Sequence, residues 1–426
     1  MIATTRPVVG PFSTVKWFCG FVVSVIVVLG TGSRCVAQAG QPESAAVRPF
    51  TIRVGPEVLK DLDRRLALTR FPGQVTGAGW DYGTDLGYLK GLVTYWRTQY
   101  DWRSQEKALN KWSHFKTRFG GLDLHFIHQR SRHKNALPLL LVHGWPGSFT
   151  EFQKVIGPLT DPTAHGGKAE DAFHVVIPSL PGFGFSDAPR DRGWNNDRMA
   201  ELFGKLMARL GYERYGTQGG DWGASISAWL GRNRPEQCVG VHMNFVMVGA
   251  PRGGDRQFEG LKPREIARIR ERRTFMAEET GYSQIQGTKP QTLGYGLNDS
   301  PAGLAAWIVE EFRTWSDCDG DLEKQFTRDE LLNNVMVYWV TGSITSSTRI
   351  YYETRHSRSR GKRGRVEVPV GCAIFPKELV YAPRLWAEKR FNVTHWTEMP
   401  RGGHFAAMEE PGLLVEDVRS FFAKVR

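Results

Sequence analysis

The chain of 426 residues is 41% hydrophobic and 23% charged, which is typical of a globular protein and excludes a disordered or fibrous one. Much of its formal net charge of +12 lies in two basic segments, residues 262–273 and 356–365. Aromatic residues do not interleave with the basic ones, and no nucleic-acid-binding motif is present. We therefore interpret both segments as solvated surface and expect no nucleic-acid partner.

Residues 1–39 have the features of a secretory signal peptide. Two basic residues, Arg6 and Lys16, precede an uncharged apolar run at residues 17–30, and Ala37-Gln-Ala39 offers a cleavage site of small residues. The run is somewhat shorter than the ~20 residues that a membrane-spanning helix needs. We predict an exported protein, periplasmic or secreted. An uncleaved segment that anchors the protein to a membrane is the alternative.

Cleavage would leave three cysteines, Cys238, Cys318 and Cys372. This number is odd and the spacing is wide, so the pattern fits neither a metal site nor a disulfide framework. Buried free thiols are the expectation.

Residues 48–120 are predicted to form a helical extension, because apolar residues recur every three or four positions at 58–66 and 86–100. From residue 121 the pattern changes to alternating strands and helices. The predicted strands are residues 122–128, 137–142, 173–178, 215–218, 239–245, 366–375 and 392–398, and the predicted helices are 196–210, 222–230, 329–340 and 413–424. This alternation predicts an α/β fold with a mostly parallel sheet covered by helices on both faces.

The strand–helix alternation is interrupted at residues 247–327, where charged helical patterns with Gly and Pro breaks predict an inserted helical cap. The predicted organisation is therefore a signal peptide or anchor (1–39), the N-terminal extension (48–120), the first part of the core (121–246), the cap (247–327) and the second part of the core (328–426).

Asp221 lies in Gly219-Gly-Asp-Trp-Gly223, between a predicted strand and a predicted helix. Taken alone, Asp221 is most simply a helix N-cap. The strand–turn–helix context instead matches the G-x-S-x-G nucleophile elbow with Asp in place of Ser, because small flanking residues allow a tight turn that exposes the central side chain.

A nucleophile elbow requires an acid and a histidine base later in the chain, in that order. His404, in Arg401-Gly-Gly-His-Phe-Ala406, lies between the last predicted strand and the last helix. Glu378 follows the strand at residues 366–375 and is the preferred acid by position. Among the other acids, Asp171 and Asp187 precede the elbow, Glu409 and Glu410 follow the histidine, and Asp317, Asp319 and Asp321 are reserve candidates.

The sequence His143-Gly-Trp-Pro-Gly-Ser148 follows the predicted strand at residues 137–142. A backbone N–H from this loop, at Trp145, and the N–H of Trp222 are expected to form an oxyanion hole. A tight Pro-Gly turn without a catalytic role is the alternative.

From residue 48 to the C-terminus the chain resembles the microsomal-type epoxide hydrolases of the α/β-hydrolase superfamily, whose relatives include the juvenile hormone epoxide hydrolases. Four motifs carry the resemblance: His143–Ser148, Gly219–Gly223, Leu297-Asn-Asp-Ser-Pro-Ala-Gly-Leu304 and Arg401–Ala406. The resemblance implies an α/β-hydrolase fold with Asp221 as nucleophile, His404 as base and Glu378 as acid. The chain departs from the animal members at its N-terminus, where they retain an anchor and this chain has a cleavage pattern.

The resemblance also implies two tyrosines on the cap side that protonate the epoxide oxygen. Tyr282 matches one position. The pair Tyr351 and Tyr352 matches the other, and Tyr351 is chosen by register. Buried core tyrosines bonded to carbonyl groups are the alternative.

The expected reaction opens an apolar epoxide by attack of Asp221 and hydrolyses the resulting ester with water activated by His404, without a metal or organic cofactor. Haloalkane dehalogenase activity and a non-catalytic binding role are the alternatives, and Asp at the elbow disfavours a serine-type esterase. An apolar pocket is suggested by tryptophans that could equally be core residues, namely Trp80, Trp96, Trp102, Trp307 and Trp315.

Overall fold

The computed structural model describes residues 46–251, 254–357 and 364–426. The predicted signal peptide, the export that depends on it and much of the basic segment at 356–365 lie outside the described residues. All elements named below belong to one compact unit, residues 43–426. Within the described part of the chain, no helix combines the length and apolar character needed to cross a membrane.

The described strands form one nine-stranded sheet with the order β1-β2-β3-β5-β4-β6-β7-β8-β9. Neighbours from β1 to β5 in this order are antiparallel, and those from β5 to β9 are parallel. The strands are β1 (Arg48–Phe50), β2 (His114–Phe119), β3 (Leu122–Gln129), β4 (Leu137–Val142), β5 (Phe173–Pro178), β6 (Tyr215–Gly219), β7 (Cys238–Met243), β8 (Val366–Ile374) and β9 (Phe391–Glu398).

The helices fall into three groups. Those of the N-terminal extension are α1 (Pro56–Ala67), α2 (Leu86–Thr98) and α3 (Trp102–Leu109). Those between β7 and β8 are α7 (Pro263–Glu278), α8 (Gly281–Gln286), α9 (Pro290–Asp299), α10 (Pro301–Trp315), α11 (Arg328–Thr341) and α12 (Ile344–Arg355). The others are α4 (Gln153–Thr160), α5 (Asn196–Arg209), α6 (Asp221–Asn233), α13 (Arg384–Ala387), α14 (Ala406–Glu409) and α15 (Pro411–Phe422).

Helices cover both faces of the sheet, as the alternation in β7 demonstrates. Val241 lies against Gly231 of α6, so close that a Cβ on this glycine would be 2.6 Å from Val241 Cγ2. The next residue, His242, points to the opposite face, where its Nε2 lies 2.9 Å from Asp417 of α15. Because successive side chains of a strand point to opposite faces, α6 and α15 enclose the parallel strands between them. The predicted α/β fold is confirmed.

The strands and helices predicted from residue 121 onward are present, with ends that differ by no more than three residues. The helical extension predicted at 48–120 contains the three helices α1, α2 and α3. The prediction missed β1 and β2, which pair at the edge of the sheet. β2 carries a period-two pattern in which Phe115, Thr117 and Phe119 alternate with basic residues. The three predicted free thiols are confirmed, and all three are buried.

The N-terminal extension contacts the helices between β7 and β8. Arg65 of α1 forms an ion pair of 2.6 Å with Asp299 at the end of α9. The Thr84 hydroxyl donates a hydrogen bond of 2.7 Å to the carbonyl of Ala306 in α10. The extension therefore supports the helices that lie over the carboxyl ends of the parallel strands.

Candidate active site

Asp221 occupies the sharp junction between β6 and α6. Its φ angle of 47° lies in the left-handed region that non-glycine residues rarely adopt, and such strain is typical of functional sites. The turn is also sterically tight, because a Cβ on Gly223 would lie only 1.9 Å from the carbonyl oxygen of Val142 in β4. The structure thus places Asp221 in the elbow geometry, with a side chain that is 14% exposed.

The loop after β4 contacts the Asp221 carboxylate through its backbone. The N–H of Trp145 donates a hydrogen bond of 2.8 Å to Asp221 Oδ1, and the N–H of Trp222 also hydrogen-bonds to this carboxylate. The loop can approach this closely because Gly144 has no side chain, and a Cβ there would lie 2.2 Å from Oδ1. The two residues predicted to form an oxyanion hole are therefore both in contact with the nucleophile candidate.

His404 lies between two carboxylates. Its Nδ1 is 2.6 Å from Glu378 Oε1, and its Nε2 is 3.8 Å from Asp221 Oδ2. Glu378 follows β8 and is buried, as is His404. Of the reserve acids, Asp319 and Asp321 are exposed, and Asp317 accepts a hydrogen bond from the backbone of the histidine loop at Gly402. The structure therefore brings Glu378, and not the reserve acids, onto the imidazole.

The charges in this group shift one another's pKa values. Burial disfavours the imidazolium form of His404, but the charge and hydrogen bond of Glu378, followed by the charge of Asp221, raise its pKa to about 9. Burial raises the pKa of Asp221 above its ordinary value, and His404 together with the two backbone N–H groups opposes this rise. Near neutral pH the His404 ring is therefore mainly in the imidazolium form.

Tyr282 of α8 and Tyr351 of α12 lie above the elbow with their ring centroids 5.7 Å apart. Tyr282 stacks on Trp145 at 5.2 Å, and Tyr351 contacts Trp222 edge to face at 4.9 Å. The Tyr351 hydroxyl is buried and has no hydrogen-bond partner among the described residues. Burial raises the pKa of both tyrosines well above its ordinary value, and the Asp221 charge adds to this rise.

Tyr352 points in a different direction from Tyr351. Adjacent helical positions are separated by about 100° around the helix axis, so both rings cannot face the elbow. The Tyr352 ring stacks on His356 at 4.0 Å. The structure thus brings Tyr351, and not Tyr352, to the site.

Two carboxyl groups of the site were not identified from the sequence as functional: the buried Glu409 and the half-buried Glu151. Glu409 accepts hydrogen bonds of 2.8 to 2.9 Å from the backbone N–H groups of Asp317, Gly403 and Phe405, and so fixes the loop that carries His404. Glu151 lies in the short 3₁₀ turn Phe149–Phe152, directly after the oxyanion loop. Burial distinguishes Glu409 from a surface glutamate, and the local sequence does not reveal burial.

Aromatic side chains enclose the space around the two tyrosines. Trp315 lies 5.0 Å from Tyr282 and 5.1 Å from the His404 ring, and Phe245 contacts His404 from another side at 5.6 Å. Trp315 is thus the member of the predicted tryptophan group that reaches the site, whereas Trp96 and Trp102 are core residues. Such walls favour an apolar ligand.

One group of carboxylates among the described residues has the spacing of a metal site, with an oxygen of each within 4.8 Å of the others: Glu279, Glu310 and Glu311. The group lies at the end of α7 and in α10. Burial raises the pKa of Glu311 well above its ordinary value and that of Glu279 to about 7.

Comparison with known proteins places these features in context. Residues 47–152 match a family model described as epoxide hydrolase N terminus, and residues 138–264 match one described as alpha/beta hydrolase fold. The chain is 41% identical to epoxide hydrolase 1 of Sus scrofa over 92% of this chain and 91% of the relative. It is 42% identical to juvenile hormone epoxide hydrolase 2 of Ctenocephalides felis, over 90% and 87%. The crystal structure of juvenile hormone epoxide hydrolase from the silkworm Bombyx mori matches with a TM-score of 0.84 at 35% identity, covering 90% of this chain and 96% of that chain.

Proposed function

The chain belongs to the microsomal-type epoxide hydrolases, and from this premise we propose that it converts apolar epoxides and water to vicinal diols through an ester on Asp221. One observation carries the proposal. The Asp221 carboxylate accepts the Trp145 N–H at one oxygen, at 2.8 Å, and faces His404 with the other, at 3.8 Å. A nucleophile, an oxyanion donor and a base are thus arranged around a single carboxyl group.

In the first step, Asp221 Oδ2 attacks an epoxide carbon, because Oδ1 is held by the loop. The new C–O bond forms as the epoxide C–O bond breaks, and the electron pair moves to the former ring oxygen. Tyr282 or Tyr351 gives its hydroxyl proton to this oxygen, so that a hydroxyalkyl ester and a tyrosinate result. The raised pKa values of both tyrosines support this role, because the hydroxyls remain protonated until a strongly basic alkoxide forms.

Ester formation also changes the base. The negative charge of Asp221 is one of the groups that raise the pKa of His404 to about 9. The ester carries no charge, so the imidazolium loses one of its partners and releases its proton more readily. Alkylation of Asp221 thereby favours the neutral imidazole that the second step requires.

In the second step, water attacks the Cγ atom of the Asp221 ester and gives a proton to His404 Nε2, while Glu378 holds Nδ1. The carbonyl electrons move to the oxygen that faces the N–H groups of Trp145 and Trp222. Collapse of the tetrahedral intermediate breaks the bond to the alkyl oxygen, which takes the proton from His404 and leaves as the diol. The proton left on the Asp221 carboxyl group returns to the tyrosinate. His404 takes back from solvent the proton that it released after ester formation, and the resting enzyme is restored.

Trapping of the ester tests this proposal. Loss of the base in a His404→Gln variant should block hydrolysis but permit alkylation. Mass spectrometry of that variant after mixing with styrene oxide should therefore find the substrate mass on the peptide that contains Asp221. The double variant Asp221→Asn/His404→Gln is the matched control and should carry no adduct.

A single turnover of excess wild-type enzyme in ¹⁸O-water distinguishes the two-step route from direct attack of water on the epoxide. Attack on the ester places the heavy oxygen in the Asp221 carboxylate, whereas direct attack places it only in the diol. Absence of both the adduct and the label in Asp221 would overturn the proposal, and assays of halide release from haloalkanes would then be the next measurement.

A further inference from the structure

Glu151 is a half-buried residue whose carboxyl group the mechanism above does not use. It lies in the turn Phe149–Phe152, and its carboxyl group fills the space beside Gly147, where any Cβ would collide with it. This position is directly behind the loop that supplies the Trp145 N–H. The backbone of Ser148 hydrogen-bonds to this carboxyl group, and a carboxyl group has the capacity to accept further hydrogen bonds.

The titratable groups that face Glu151 come from three separate elements. They are Asp221 at the elbow, His404 from the loop after β9, and Tyr338 from α11. Burial raises the pKa of Glu151 to about 8, the charge of His404 opposes this rise, and the charge of Asp221 adds to it. The Glu151 side chain therefore lies within electrostatic reach of both the nucleophile and the base.

A small cavity lies between Glu151, Asp221 and His404. Its polar lining comes from Glu151, Asp221, His404, Gln218 and Asn244, and it leaves about 20 Å³ for the centre of a water molecule. This volume is sufficient for one ordered water, which also needs two to four polar partners. The lining supplies them: Gln218 Nε2 donates to Asn244 at 2.8 Å, while Gln218 Oε1 has no partner among the described residues.

We propose that Glu151 positions the hydrolytic water, by accepting a hydrogen bond from one of its O–H groups while the other points at His404 Nε2. The proposal rests on the ester mechanism and adds a residue to its second step. With both O–H groups held in this way, a lone pair of the water oxygen is free to face Cγ of the Asp221 ester. The proton moves to His404 only, and the protonation of Glu151 does not change during the step.

A comparison of Glu151→Leu with Glu151→Gln tests this role. The leucine variant removes the acceptor, whereas the glutamine variant keeps an oxygen in a side chain of the same shape. Stopped-flow and quench-flow measurements with styrene oxide give the rate constants of ester formation and ester hydrolysis separately. The burst amplitude counts folded active sites, so partial misfolding does not alter either rate constant.

We expect Glu151→Leu to slow ester hydrolysis at least tenfold while ester formation stays within about threefold of wild type, so that the ester accumulates in the steady state. Glu151→Gln should recover most of the hydrolysis rate. Equal slowing of both steps, or equal effects of the two substitutions, would assign Glu151 a structural role and overturn the proposal. Wild-type hydrolysis in Glu151→Leu would overturn it too. A wild-type enzyme that forms no ester would instead refute the proposed function.

Discussion

Removing the negative charge of Asp221 should make His404 a much weaker base, and the size of this effect follows from the geometry. The His404 side chain is buried and that of Asp221 is 14% exposed, and Asp221 Oδ2 lies 3.8 Å from His404 Nε2. Unit charges at this separation interact by ~4 kcal/mol at an effective dielectric constant of about 20. The isosteric substitution Asp221→Asn should therefore reduce the proton affinity of His404 on the order of a thousandfold. The pKa of His404, about 9 in the wild type, should fall accordingly.

Nuclear magnetic resonance of ¹⁵N-histidine-labelled protein measures this titration directly. Asp299→Asn, which removes an exposed carboxylate at the end of α9, is the control and should leave the His404 titration unchanged. Glu378→Gln should also lower the pKa of His404, because Glu378 contributes both a charge and a hydrogen bond. If His404 titrates in Asp221→Asn as it does in the wild type, the reasoning about ester formation and the base is wrong.

The pH dependence of the protein's stability should show the same electrostatic coupling between His404 and Asp221. The folded-state pKa of His404 is raised, so its contribution is complete below the ordinary histidine pKa of about 6.5 and is lost as the pH rises through about 9. The free energy of unfolding of the wild type should therefore fall more steeply across this window than that of Asp221→Asn. Denaturant titrations at pH 6.5 and 9.5 measure the difference, and parallel slopes would contradict the expectation.

Four further substitutions test the elements around the nucleophile. Tyr282→Phe and Tyr351→Phe should each slow ester formation roughly 10²-fold, whereas Tyr352→Phe should not. Single-turnover kinetics measure the rate of ester formation in each variant. A similar loss in all three would refute the assignment of Tyr282 and Tyr351 as proton donors. Gly144→Ala would place a Cβ 2.2 Å from Asp221 Oδ1 and should lower kcat by about 10² or more without a matching loss of thermal stability. A wild-type kcat in this variant would mean that the loop need not contact the nucleophile.

The features that could be predicted from the sequence depend on neighbouring residues or on the order of motifs along the chain. The elbow around Asp221 combines a strand, a turn of small residues and a helix within a dozen positions, so its geometry needs no distant contact. Glu378 and His404 were selected because the order of nucleophile, acid and histidine leaves few candidates. The structure brings all three together, and their chemical roles are predictions that the trapping experiment tests.

The features that escaped prediction depend on distant parts of the chain. β1 has three residues, and its pairing partner β2 lies beyond the three helices of the extension. The choice between Tyr351 and Tyr352 depends on which face α12 turns toward the elbow, and this face is set by packing against α8 and α9. Similarly, Glu151 could be a surface residue of a short turn until α11 and the histidine loop close over it.

Burial determines which carboxyl groups around His404 are ionised. The amino-acid sequence does not reveal this part of the mechanism. If all the carboxyl groups near His404 were ionised, four negative charges would surround its imidazole: those of Asp221, Glu378, Glu151 and Glu409. Burial raises the pKa of Glu151 to about 8 and that of Glu409 to about 7, so these two groups are partly protonated near neutral pH. The imidazolium is then balanced mainly by Glu378 and Asp221. Because alkylation neutralises Asp221, a single covalent step changes this balance, and His404 can become a base when the ester needs one.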